Sequence, residues 1–177
     1  MKNILILLFS LILAATCQSP NYCKSYDILF DLNLNFVKGD WYPLYVSSNI
    51  SKIYDCYSLK LNLIENLNES NGRKLELHWI NTLQNIDNIV NLKQTKHSNS
   101  FLPQNNNFTL FTVIDTDYNS YMLVVMCQPS DTGNVYNAFL FSRYMNISDE
   151  LTRRVQELMT SKFALVDWAK VKVGDQC

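Results

Sequence analysis

The chain has 177 residues, 47% of them hydrophobic and 12% aromatic, with fifteen basic against sixteen acidic side chains for a net charge of -1. That aromatic content excludes a disordered secretion, and a near-neutral balance without long runs of one sign argues against nucleic acid and anionic membranes as partners. The length suits one domain with one core.

The first residues, MKNILILLFSLILAAT, place Lys2 before an apolar run from Ile4 to Ala15. Such a run is too short to cross a bilayer core of ~30 Å and has the form of a secretory signal peptide, so 1–18 are read as a leader and 19–177 as a single domain. No later stretch has transmembrane length, so no integral membrane segment is expected and the mature chain is read as secreted and extracellular. Cleavage near this point removes Cys17 and leaves Cys23, Cys56, Cys127 and Cys177. An even set of cysteines in a secreted chain implies disulfides, and four allow three pairings among which the sequence does not choose. Asn49, Asn68, Asn107 and Asn146 each begin an Asn-X-Ser/Thr glycosylation acceptor, which marks loops or outward faces.

Gly39-Asp40-Trp41 opens the first strand-like segment, and counting by two from Trp41 turns Tyr45 inward unless Pro43 introduces a bulge. From Cys56 to Leu63 the pattern alternates, with Tyr57, Leu59, Leu61 and Leu63 on one face and Ser58, Lys60 and Asn62 on the other. Period two with one polar face predicts a half-buried antiparallel strand. Asn71-Gly72 follows, a type I′ hairpin signal, because both central positions of that turn need positive φ. Leu75, Leu77 and Trp79 then face in, and Lys74, Glu76 and His78 face out. The run from Ile86 to Gln94 continues the meander, with Ile86, Val90 and Leu92 in phase and Asn88 the polar exception. The stretch from His97 to Asn107, which contains Pro103, should hold a fifth strand. Phe108 to Asp115 and Tyr121 to Gln128 are β-rich around a Thr116–Ser120 turn, and Val135 to Arg143 is the eighth strand. If Cys127 points out toward the N-terminal arm, Met122, Val124 and Met126 point in. Ser148 then caps a helix whose first turn holds Asp149 and Glu150 and whose apolar face carries Leu151, Val155, Leu158 and Met159.

Gly39-Asp40-Trp41, Thr116-Asp117-Tyr118 and Ser142-Arg143, in that order and spacing, resemble the three signature motifs of the lipocalins. The cysteine spacing resembles that of the insect bilin-binding and apolipoprotein D-like branch, and the likeness runs from about Cys23 to Cys177. It implies an all-β protein: an eight-stranded antiparallel up-and-down β-barrel, the lipocalin calyx, with one C-terminal α-helix packed outside. It also implies disulfides from Cys23 to Cys127 and from Cys56 to Cys177, and a closed end on which Arg143 stacks over Trp41. Gly39, Trp41, Thr116, Asp117, Tyr118 and Arg143 are thus structural motif residues. If Arg143 faces in, Phe141 and Phe139 do so too.

A ligand wall assembled on this basis holds Tyr45, Tyr57, Leu59, Leu61, Leu77, Trp79, Val90, Met122, Val124, Met126, Phe139 and Phe141. It carries no charge, so the polar group of a ligand should sit at the mouth, near the loop after Tyr45 and around Asn81 to Asn85. The resemblance implies a secreted carrier that binds and transports a small hydrophobic ligand of the lipid, retinoid, sterol, pigment or pheromone class. The rival reading is a secreted lipocalin whose own side chains occlude the pocket and whose loops act on a partner protein. His78 on an outer face and His97 in a turn suggest no haem or metal, and Asp117 is explained as a turn cap. Without a Gly-rich phosphate loop or a serine elbow, neither a catalytic constellation nor a cofactor is expected.

Overall fold

Strand formation follows the period-two pattern closely. The computed structural model describes residues 31–47, 54–64, 74–81, 83–104, 110–130, 133–163 and 167–177. The leader, Cys23, the Asn71-Gly72 turn and the acceptors at Asn49, Asn68 and Asn107 lie outside the described residues. A short helix α1 (Leu34–Val37) is capped by Asn33, whose side chain accepts from the Asn35 N–H. It leads into β1 (Gly39–Ser47), β2 (Tyr57–Ile64), β3 (Lys74–Asn81), β4 (Ile86–Gln94), β5 (Ser100–Pro103), β6 (Leu110–Thr116), β7 (Tyr121–Ser130) and β8 (Gly133–Ser142). These strands pair antiparallel in sequence order, and β1 joins both β8 and β2, which closes an up-and-down barrel. The fifth strand is only four residues long and ends at Pro103, whose missing N–H cannot continue a ladder.

Helix α2 (Asp149–Phe163) follows the barrel, with the Leu151 N–H bonded to Ser148 Oγ at 3.2 Å. Val155 and Met159 are buried against the outward side chains Leu123, Val125, Ala138 and Leu140. Burying two such side chains stabilises the docking by roughly 1.5–3 kcal/mol each. The inward side chains form a separate core that runs from Trp41 through Leu59, Leu77 and Met122 to Phe139.

A ninth strand, β9 (Trp168–Lys170), was not foreseen from the sequence, since three residues carry no measurable period. It fills a seam. The first part of β1, Gly39–Trp41, pairs with β2, whereas Tyr45–Ser47 pairs with β9. The tail is stitched in by Val171 N–H to Leu44 O at 2.9 Å, Cys56 N–H to Lys172 O at 2.8 Å and Lys172 N–H to Asp55 Oδ1 at 3.0 Å. Val171 and Val173 are buried in the inner core, and a disulfide joins Cys56 to Cys177.

The inward count for Tyr45 is corrected by the structure. The register shifts between Pro43 and Tyr45, so Tyr45 pairs with Leu140 on the outer face and Val46 pairs with inward Phe139. The bulge at Leu44 adds one residue to β1, and one residue reverses every later side chain of a strand.

Candidate functional site

The two ends of the barrel are built differently. At the end where β1 begins and β8 finishes, the Arg143 guanidinium lies 3.7 Å from the centre of the Trp41 ring. Its nitrogens donate to four carbonyls: Nη1 to Asp40 O at 3.0 Å, Nη2 to Phe36 O at 2.9 Å and Lys38 O at 2.8 Å, and Nε to Tyr118 O at a longer 3.5 Å. The Trp41 indole N–H donates to Val37 O at 2.8 Å, so α1 is fastened beneath the ring. Burial lowers the Arg143 pKa, and nearby Asp40 opposes the shift. Gly39 has φ +105°, and a Cβ there would lie 2.9 Å from Arg143 Nη1, so both its backbone and its neighbour demand glycine.

The β6–β7 turn completes this seal. Asp117 Oδ1 accepts the backbone N–H groups of Asn119, Ser120 and Tyr121, and Oδ2 accepts the Ser120 hydroxyl. Burial pushes the Asp117 carboxyl up, but these hydrogen bonds outweigh it and hold the group below its usual range. Tyr118 takes a positive φ of 65°, and its hydroxyl accepts the Asn33 N–H at 3.1 Å. Thr116 Oγ1 accepts the Tyr118 N–H at 2.9 Å and donates to Tyr121 O at 2.6 Å. The motif residues Gly39, Trp41, Thr116, Asp117, Tyr118 and Arg143 thus meet at one end.

The wall residues meet in the interior. Leu59, Leu61, Leu77, Val90, Met122, Val124, Met126, Phe139 and Phe141 belong to the inner core, as does Trp79, and Tyr57 packs against it. Toward the end opposite Arg143, aromatic rings form a continuous cluster. Phe139 stacks on Phe141 at 5.5 Å, Trp79 lies 5.8 Å from each, and Tyr57 is 6.3 Å from Trp79. Tyr45 is turned by the register to the outer face and packs against both the inner and the outer core, so it is not an inward wall position.

One member of the cluster was missed in the sequence. Tyr54, in the segment just before β2, has its ring edge-on to Phe139 at 4.9 Å, 5.5 Å from Trp79 and 6.0 Å from Tyr57. Burial raises the pKa of its phenol, and neighbouring Tyr57 adds to the shift. A loop residue has no strand period, so no count could have turned it inward. Asn81 also lies at this end, where its amide donates to Asp55 O and accepts the Gln84 N–H, tying the segment before β2 to the β3–β4 turn.

A second omission is Asn137, which pairs with inward Met126 and precedes inward Phe139 by two residues. Extending the Phe141, Phe139 count one step further would have found it. Its Oδ1 and Trp168 Nε1 are the buried side-chain polar atoms without a hydrogen-bond partner among the described residues.

Outside the barrel, Arg153, Glu157, Thr160, Asp167 and Trp168 line a groove of about 670 Å³ between α2 and β9. His78 lies on the outer face, with Nε2 2.6 Å from Glu76 and Nδ1 3.4 Å from Asp87. The two carboxylates sit on opposite sides of the ring. Among the described residues, no group of three or more His, Cys, Asp or Glu side chains is arranged to hold a metal ion, and no helix is long and apolar enough to cross a membrane.

A closed eight-stranded meander with one extra strand and a C-terminal helix is the lipocalin fold. Solved structures agree. Per a 4, a major allergen of cockroaches, superposes with TM-score 0.65 at 19% identity, over 87% of this chain and 96% of its own. Apocrustacyanin C1 gives 0.63 at 19% identity, over 89% and 92%. The siderocalin Ex-FABP, described as functioning through dual ligand specificities, gives 0.58 at 15% identity, over 78% and 91%. No protein-family model matches the chain, and no curated protein matches it in sequence.

Proposed function

We propose that this chain is a secreted lipocalin, of the insect apolipoprotein D-like or bilin-binding branch, that carries a small hydrophobic ligand inside the barrel. The observation that carries this reading is the interior: inward positions from Leu59 and Met122 up to the Trp79, Phe139 and Phe141 rings are apolar and buried, above an end sealed by Trp41 and Arg143. Burying ~300 Å² of apolar ligand surface in such a wall gives ~7 kcal/mol gross, less the cost of immobilisation, which corresponds to micromolar or somewhat tighter binding. The Cys56–Cys177 disulfide and the leader-like first residues support an oxidising, extracellular setting. Cys127 is also disulfide-bonded, which is compatible with the proposed link to Cys23. The cockroach allergen among the structural neighbours and the Cys56–Cys177 pair support the branch. The dual ligand specificities of the siderocalin support a binding role.

A second reading, in which the pocket is occluded and the loops act on a partner protein, is favoured by one observation. Tyr54, Trp79, Phe139 and Phe141 already touch one another within the barrel. The two readings separate experimentally. Binding of a fluorescent fatty-acid analogue should quench emission from Trp79. Phe139→Asp should weaken binding more than Phe139→Ala, since it sets an unpaired carboxylate at a fully buried position. No quenching by a broad panel of apolar ligands, with no small molecule retained in native mass spectra of the purified chain, sinks the carrier reading in favour of the second.

A further inference from the structure

We infer that Asn137 sets the ligand specificity of the barrel, its Oδ1 accepting a hydrogen bond from an uncharged apolar molecule that carries a hydroxyl or amide N–H. The inference rests on the carrier reading and deepens it. Asn137 shares the inward face of β8 with Phe139 and Phe141 and lies across from Met126 of β7. Strand direction places it toward the end opposite Arg143, one inward position beyond Phe139 of the aromatic cluster. Its Oδ1 is buried, yet among the described residues no donor reaches it.

A buried amide oxygen left without a donor is destabilising, and such atoms are rare in folded proteins. The inward residues beside it on β7 and β8, Met126 and Phe139, are apolar and supply no donor. A ligand donor is the chemistry this position lacks. An ionised carboxylate would set oxygen against oxygen in uncharged surroundings, and would be desolvated without a counter-charge. A pure hydrocarbon or an ether would leave the acceptor as it is. The class that fits has an apolar body and one neutral donor at its end, as in a long-chain alcohol.

The test uses the full chain and two matched probes, 1-dodecanol and dodecyl methyl ether, each titrated by displacement of N-phenyl-1-naphthylamine. They share an apolar chain, but only the alcohol donates a hydrogen bond. Wild type should bind the alcohol roughly tenfold more tightly than the ether, the effect of one neutral hydrogen bond to an otherwise unpaired acceptor. Asn137→Leu keeps the branching without the polar atoms. It should bind both probes equally, with ether affinity retained, and should melt at or above the wild-type temperature. Asn137→Ala repeats the comparison with a smaller side chain.

Equal binding of both probes to wild type overturns the inference while leaving the carrier reading intact. So does an alcohol preference that survives in both variants, or a lower melting temperature for Asn137→Leu, which would show that the amide is paired within the protein. If folded wild type binds the naphthylamine and both probes not at all, the carrier reading fails and the inference with it.

Discussion

Replacing Arg143 with alanine removes one stack, three hydrogen bonds of 2.8–3.0 Å and a weaker one of 3.5 Å to Tyr118 O at the sealed end of the barrel. The guanidinium lies 3.7 Å from the centre of the Trp41 ring, a contact worth ~0.5–2 kcal/mol when partly desolvated. The Asp40, Phe36 and Lys38 carbonyls that it bonds lie at the surface, so water can take its place. Each of those bonds is therefore discounted to about 0.5 kcal/mol, at the low end of the net range. The expected loss is about 2–3.5 kcal/mol, or a fall of roughly 4–14 °C in melting temperature for a domain of this size. Arg143→Lys keeps the charge but not the planar fork, and should lose about half as much. Urea unfolding followed by circular dichroism measures both. Ligand affinity in the folded fraction should be unchanged, since the aromatic cluster lies toward the other end. A loss below ~0.5 kcal/mol for alanine, within the scatter of ordinary surface substitutions, would refute the assigned role. Equal losses for alanine and lysine would refute the importance of the fork.

Breaking the Cys56–Cys177 bond, which closes a sequence separation of 121 residues, should cost about 4–5 kcal/mol in the chain-entropy model. The Cys56→Ser, Cys177→Ser double variant should accordingly melt well below wild type, and an unchanged midpoint would show that the stitched tail holds without the bond. Tyr54→Ala should raise the affinity for a naphthylamine probe by about 2–10-fold, the equivalent of losing one aromatic contact that competes with ligand. Weaker binding would instead make Tyr54 part of the wall that holds the ligand. Because the Asp117 pKa is lowered by folding, its stabilisation is complete above the ordinary value of 3.8 and is lost as pH falls through the depressed one. Asp117→Asn should therefore flatten the acid side of a stability-versus-pH profile below that value. An unaltered acid slope would place the titration elsewhere.

Strand faces were legible in the sequence because a half-buried strand writes its orientation in alternate residues. Leu59 and Leu61 of β2, Leu77 and Trp79 of β3 and Val124 and Met126 of β7 all lie on the predicted inward side. The Asp117 turn cap was legible because its geometry is local, whereas the sealed end was expected only from the likeness of three short motifs to those of a known family; the structure shows Gly39 there at positive φ. What only the tertiary structure decided lies where that periodicity stops. The bulge at Leu44 turned Tyr45 outward, since one inserted residue reverses the side of everything after it; Pro43 marked where an insertion could fall, but only the strand register decided that it did. Strand β9 is too short to show a period, and it exists because β1 parts from β2 and leaves an edge to fill. Tyr54 entered the aromatic cluster from a loop, where burial depends on contacts made across the barrel and not on the neighbouring residues in the chain.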